Sequence, residues 1–152
     1  MNSDPYSGLN ALINIILIAG YLVILLGAYV LTSISLMLFF RKVGVAPWAG
    51  WVPIYSTWKW LEVGGQAGAW SLLSLVPYAN IVPFVLLAMG MYRTGIAFRK
   101  PSGWVVLGIF LPWLWCLLLA GRENVYEPSL ITAAGFPPPR AGFGSVPRTP
   151  GA

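Results

Sequence analysis

The feature that most constrains this chain is an uncharged, apolar run from Leu9 to Phe40. As a helix, these thirty-two residues would extend roughly 48 Å, whereas the hydrocarbon core of a bilayer is about 30 Å thick. Residues 1–8 form a short N-terminal segment with an acid and no Lys or Arg, so they lack the basic region of a cleavable signal peptide. We therefore expect a retained first membrane helix.

Composition also indicates a membrane protein. Hydrophobic residues make up 58% of the 152 positions and charged residues only 9%, whereas soluble domains carry about 25% charged residues. The chain has no histidine and one cysteine, Cys116, so it lacks the usual ligands for zinc or haem, and we expect no cofactor and no metal. The net charge of +5 is spread over short loops, which favours membrane lipids over nucleic acid as partners.

Three further apolar segments follow, at 43–64, 64–92 and 103–121. With the first helix they predict an all-α membrane protein with about four transmembrane helices, forming one helical domain over residues 9–121. The segment 43–64 is ambiguous, because it is long enough to cross but carries two prolines, Lys59 and Glu62. It could span the bilayer, or it could lie in the interface or re-enter.

The basic residues separate these two topologies, because positive charge is held on the cytoplasmic side. Four spans place both termini outside. Of the basic residues close to helix ends, only Lys59 and Arg122 are then outside, and five are in the cytoplasm: Arg41, Lys42, Arg93, Arg99 and Lys100. Three spans with a re-entrant second segment instead put Arg93, Arg99 and Lys100 outside and the tail in the cytoplasm. The charge bias favours four spans.

Prolines interrupt the later segments at similar places, each after a tryptophan and a short apolar run. Proline removes an intrahelical hydrogen bond, so these segments should be kinked or broken. The predicted breaks lie at Pro53, at Pro77, Asn80 and Pro83, and at Pro112. Four tryptophans of the second segment suit the headgroup zone, where an amphipathic ring contacts both water and hydrocarbon: Trp48, Trp51, Trp58 and Trp60.

One face of the first helix is predicted to pack against another helix. Asn14 and Tyr21 lie seven residues apart, and Gly20 and Gly27 form a neighbouring stripe. Small residues permit close approach of a second helix, and polar ones supply hydrogen bonds.

Residues 122–152 change character, with many Pro, Gly and Ala residues and no sustained periodicity. Such a segment buries too little apolar surface to offset its chain entropy, so we expect a disordered tail.

Several ordered motifs resemble a known family: RKVGVAPW at 41–48, GWVPIY at 50–55, WLEVGG at 60–65, WSLLSLVP at 70–77 with Asn80 after it, and GWVVLGIFLP at 103–112. Over about residues 37–121 their order is similar to that of an uncharacterised family of small bacterial multi-pass membrane proteins. The sequence departs at Ser56, where the family often has Asn, and at Gln66, where it has Lys. Some proteins with a similar domain are joined to type I signal peptidases, which implies work near the export machinery, but the resemblance implies no activity.

Function is expected to follow from contact surface and not from catalysis. Acidic residues are few, and Ser56 and Lys59 imitate a Ser-Lys dyad without an evident oxyanion hole. We expect a non-enzymatic accessory or scaffold subunit of a bacterial cytoplasmic membrane complex, bound to other membrane subunits or to copies of itself. The alternative is a small transporter or channel that uses the proline-broken helices.

Overall fold

A computed structural model describes residues 5–144, and every regular element in that part of the chain is a helix, which confirms the all-α class. The α-helices are α1 Ser7–Val43, α2 Pro53–Val63, α3 Ile81–Ala97, α4 Trp104–Phe110, α5 Pro112–Leu119 and α6 Ser129–Ala133. Two 3₁₀ helices, Pro47–Trp51 and Gly68–Leu75, precede α2 and α3 respectively.

The chain divides into two compact units, and the division falls within α1, between Leu31 and Thr32. The described part of the first unit is mainly the N-terminal portion of α1, where every residue from 7 to 29 is exposed. Among the described residues, α1 is the one helix long and apolar enough to cross a membrane. The next apolar helix, α3, has 17 residues.

Helices α1 and α2 end in the same way, with a glycine in the left-handed conformation. Gly44 has φ +88° and Gly65 has φ +79°. In each case the following N–H returns to a carbonyl five residues earlier, from Val45 to Phe40 (2.8 Å) and from Gln66 to Leu61 (2.9 Å). This arrangement satisfies carbonyls that the helix end would otherwise leave unpaired.

The core of the second unit is built around the ring of Phe39, which is fully buried. Its centroid lies 5.7 Å from that of Trp115, 6.1 Å from that of Trp60 and 6.4 Å from that of Phe98. One side chain of α1 thus joins α2, α5 and the end of α3. Such tilted aromatic pairs add to the free energy gained by burying their area.

Close backbone approach explains two glycines of this unit. A Cβ on Gly64 would overlap the Cα of Gly90, and one on Gly50 would lie 2.7 Å from the backbone nitrogen of Met37. Any side chain would push α3 away from α2 in the first case, and the first 3₁₀ helix away from α1 in the second.

The fourth predicted span is two short helices instead of one. Helices α4 and α5 contain 7 and 8 residues, so each is only about 10–12 Å long. The chain folds back between them, because a Cβ on Gly108 would lie 3.3 Å from Cγ of Trp115, whereas residues seven apart on one straight helix are about 10 Å apart. Pro112 has no N–H to continue α4, and Leu111 leaves the helical conformation at φ −133°.

The second and third predicted segments are also divided. Residues 43–64 form the first 3₁₀ helix and α2, and residues 64–92 form the second 3₁₀ helix, a turn and most of α3. The 11 residues of α2 extend about 16 Å, about half the thickness of the hydrocarbon core.

The expectation of a disordered tail is wrong for residues 122–144. Ile131 on α6 is fully buried, Tyr126 is 9% exposed, and the half-buried Phe136 packs against the same core. These widely spaced apolar anchors fit surface left open by the helix ends, so the segment is ordered without periodicity of its own. The rest of the predicted tail, residues 145–152, lies outside the described residues.

Candidate functional site

The C-terminal ends of four helices meet at one end of the second unit. The Lys42 Nζ donates to the Gly121 carbonyl at 3.1 Å, which joins the end of α1 to the residues just after α5. The Arg93 Nη1 donates to the Gly64 carbonyl at 3.1 Å, which joins α3 to the end of α2. A single surface therefore receives the ends of α1, α2, α3 and α5.

The segment after α5 is hydrogen-bonded to three of these helices. The N–H of Glu127 donates to Ala97 on α3 (2.9 Å), that of Arg140 to Glu62 on α2 (2.8 Å), and that of Gly144 to Val43 on α1 (2.9 Å). Backbone groups make all three bonds, so these bonds do not depend on the side chains at the bonded positions.

We call this surface the basic end, because seven basic residues lie on it. It gathers the five predicted cytoplasmic residues and two more from the tail: Arg41, Lys42, Arg93, Arg99, Lys100, Arg122 and Arg140. The Arg99–Glu127 ion pair (2.8 Å) is largely exposed and contributes little stability. Its importance is geometric, since it places the loop after α3 beside the chain that follows α5.

Arg93 is the one basic residue of this end that is buried, with 9% of its surface exposed. Besides its bond to Gly64, its guanidinium lies 5.4 Å from the centre of the Phe136 ring. The ring face attracts the cation, so Arg93 joins α2, α3 and the tail.

Tyr126 fastens the tail to the basic end. Its ring centroid lies 5.1 Å from that of Phe98, and its hydroxyl donates to the Gly142 carbonyl at 2.9 Å. Burial raises the pKa of this hydroxyl well above its ordinary value, so Tyr126 remains neutral and able to donate.

The acid of α2 binds two neighbours on its own helix. The Lys59 Nζ lies 2.7 Å from the Glu62 Oε2, and the Trp58 Nε1 donates to the Glu62 Oε1 at 2.8 Å. The hydrogen bond to Glu62 raises the pKa of Lys59. Ser56 donates to the Pro53 carbonyl at 2.7 Å. Each member of the Ser-Lys pair is thus held by a different group.

The opposite end of the second unit is apolar, and we call it the apolar end. It consists of the turn 76–80 before α3 and the reversal from Phe110 to Pro112. Tyr78 is 93% exposed and Phe110 is 77% exposed. The turn and the reversal carry no charged side chain, in contrast to the basic end.

Most of the predicted helix breaks lie at element boundaries. Pro53 is the first residue of α2 and Pro112 the first of α5, where a missing N–H costs no helix bond. Pro77 lies in the turn, and the exposed Asn80 immediately precedes α3. Pro83 differs, because it is the third residue of α3 and the helix runs through it. In the first turn its N–H would have no intrahelical acceptor.

The four predicted interfacial tryptophans are divided between surface and core. Trp48 and Trp51 are exposed, and the Trp48 ring stacks on Tyr55 with centroids 5.0 Å apart. Trp60, in contrast, is a core residue with 5% exposure, and Trp58 is half-buried. Two residues apart on a helix are rotated by about 200°, so Trp58 and Trp60 point to opposite sides of α2.

The predicted packing face of α1 lies in the first unit. Asn14 and Tyr21 are exposed, and a Cβ on Gly20 or Gly27 would meet no other part of the described chain within 4 Å. Packing on this face therefore requires another molecule.

Sequence reasoning missed the gathering of the basic residues. The reversal at Pro112 returns Arg122 to the side of Lys42, and the proline was the sequence signal for it.

Within residues 5–144, no group of three or more cysteine or carboxylate side chains could hold a metal ion.

Comparison with known proteins identifies a family. No curated protein and no solved structure is similar to the chain. Residues 48–127 match a family of unknown function, DUF5684, and this range runs from the first 3₁₀ helix to the start of the tail. Because the match covers just over half of the 152 residues, the protein belongs to this family.

Proposed function

We propose that the protein is a non-enzymatic accessory or scaffold subunit of a bacterial cytoplasmic membrane complex. In this proposal α1 crosses the bilayer once, and the second unit enters from the cytoplasmic side without crossing. The observation that carries the proposal is the exposure of every residue from 7 to 29 on an apolar helix.

Lipid or a partner helix must cover this surface. The most apolar window of α1 has a mean hydropathy of 2.5 and is 0% buried, whereas the apolar helix of a soluble core is covered by its own chain. Water around this surface would cost about 25 cal/mol for each Å². The helix has 37 residues and extends about 55 Å, enough to cross with several turns to spare.

Charge supports entry of the second unit from the cytoplasmic side. The basic end adjoins the C-terminal end of α1, and four spans would separate Arg122 from Lys42 by the whole bilayer. The Lys42–Gly121 hydrogen bond holds Lys42 close to Arg122, which favours the same side of the membrane for both residues. All seven basic residues of this end are then cytoplasmic, in agreement with the positive-inside rule.

The apolar end completes this arrangement. The turn 76–80 and the reversal at 110–112 present exposed apolar side chains, and hydrocarbon is their favourable surrounding. Backbone groups at such reversals need internal partners in lipid, and here the N–H of Ala79 donates to the Val76 carbonyl and that of Leu111 to the Leu107 carbonyl.

The scaffold role rests on the Gly20 and Gly27 face of α1. Glycines allow a second helix to approach closely, and the neighbouring Asn14 and Tyr21 offer hydrogen bonds across the contact. The partner is another membrane subunit or a second copy of this chain.

Photo-crosslinking in native membranes tests this role. A photoreactive phenylalanine analogue in place of Tyr21 should give a discrete crosslinked product. Combining it with Gly20→Leu and Gly27→Leu should abolish the product, because the added side chains keep the partner away. Neither change meets an atom of the described chain near its Cβ, so folding should persist.

The matched control is the pair Gly8→Leu and Ala19→Leu. These exposed residues lie on other sides of the helix, about 80–160° from the glycines, Asn14 and Tyr21. The control should keep the product. A product unaffected by the glycine changes, or no product from any position on α1, would contradict the scaffold role.

A further inference from the structure

A cavity of about 470 Å³ opens at the basic end, between the end of α1 and the end of α5. Its lining includes three cations, Arg41, Lys42 and Arg122, and no acidic side chain. The nearby cavity beside Arg99 differs, because Glu123 and Glu127 line it together with the basic residues. Of these two cavities, only the first presents charge of one sign.

Helix dipoles do not account for all of this charge. Each helix C-terminus carries about half a negative charge, and two of them meet here. Lys42 already compensates part of this negative charge by donating to the Gly121 carbonyl. Three unit charges set against about one leave an excess of about two positive charges, and the exposed Arg41 and Arg122 carry that excess.

Two apolar side chains give the cavity a direction. Leu38 precedes Lys42 by one turn on α1, and Leu117 precedes Gly121 by four residues at the end of α5. Both side chains lie farther from the basic end than the three cations do. A ligand that fits has an anionic head followed by an apolar chain.

We propose that this cavity binds the phosphate group of an anionic phospholipid, with Arg41 and Arg122 contacting the phosphate and Leu38 and Leu117 contacting an acyl chain. This inference rests on the proposed membrane location. Guanidinium groups pair with phosphate oxygens in a bidentate geometry, and basic pockets beside membrane helices suit anionic headgroups.

Native mass spectrometry of the full-length protein tests the proposal. Protein released from micelles that contain equal amounts of phosphatidylglycerol and phosphatidylcholine should retain phosphatidylglycerol preferentially. The double change Arg41→Gln and Arg122→Gln should reduce retention at least about tenfold, since charge-assisted hydrogen bonds are lost. Lys42 is left in place, so its bond between α1 and α5 persists.

The matched control is Arg99→Gln with Arg140→Gln, which removes the same charge from exposed positions outside this cavity. The control should retain phosphatidylglycerol as the parent protein does. Equal losses in both double variants would overturn the proposal in favour of general surface attraction, as would equal retention of phosphatidylcholine.

Two further measurements distinguish a lipid phosphate from a free phosphate, and the lipid site from the membrane location. Displacement of the lipid by millimolar inorganic phosphate would overturn the lipid assignment in favour of a free anion. Protein that resists carbonate extraction from membranes yet retains no phosphatidylglycerol contradicts the lipid site alone. Protein that carbonate removes contradicts the membrane location itself.

Discussion

Replacing Phe39 by alanine should lower the free energy of unfolding of the second unit by about 3–5 kcal/mol, the usual cost of removing a fully buried phenylalanine. The change removes the ring between Trp60, Trp115 and Phe98 and leaves a cavity that three helices cannot fill together. Thermal unfolding in mild detergent, followed by tryptophan fluorescence, reports the loss, because Trp60 and Trp115 are the neighbours affected.

The control for this change is Phe110→Ala. Phe110 is 77% exposed at the apolar end, so in detergent its removal should change the free energy of unfolding by less than about 0.5 kcal/mol. Equal effects of the two substitutions would mean that Phe39 is not the centre of the core.

Replacing Ile131 by alanine should destabilise the second unit by about 2–5 kcal/mol. Ile131 is fully buried although it lies in the segment after α5, so its loss opens a cavity where the tail meets the helix ends. The same unfolding measurement applies to this variant.

Val125→Ala is the matched change for Ile131, because Val125 lies in the same segment and is 65% exposed. It should change the free energy of unfolding by less than about 0.5 kcal/mol. A disordered tail would make both substitutions neutral, and that result would contradict the ordered tail of residues 122–144.

The first helix could be predicted closely from sequence. The run from Leu9 to Phe40 and the helix Ser7–Val43 nearly coincide, because nothing interrupts the apolar run until Arg41 and because Gly44 supplies the left-handed residue that ends the helix. Both signals are local, so no knowledge of the rest of the fold was needed.

The later segments could not be predicted as well, since length and hydropathy do not distinguish a span from two short helices that fold back. Pro112 was recognised as a break, but the direction of the chain after it depends on contacts such as Gly108 with Trp115. The burial of Trp60 and the partial exposure of Trp58 likewise depend on which side of α2 meets Phe39.

Part of the candidate site could be predicted from the sequence. Five basic residues were expected on one side of the membrane, but Arg122 was expected on the other. Its position depends on the reversal at Pro112 and on the Lys42–Gly121 hydrogen bond, which joins residues 79 positions apart. No local pattern encodes a contact at that distance.

The most direct test of the proposed membrane arrangement is labelling of single cysteines with a membrane-impermeant maleimide, on a background in which Cys116 is replaced by alanine. Three exposed serines are suited to cysteine replacement: Ser7 at the start of α1, Ser102 before α4 and Ser129 at the start of α6. Entry of the second unit from one side predicts that Ser102→Cys and Ser129→Cys label from the cytoplasmic face and Ser7→Cys from the opposite face. Labelling of Ser129→Cys from the same face as Ser7→Cys, opposite to Ser102→Cys, would contradict it.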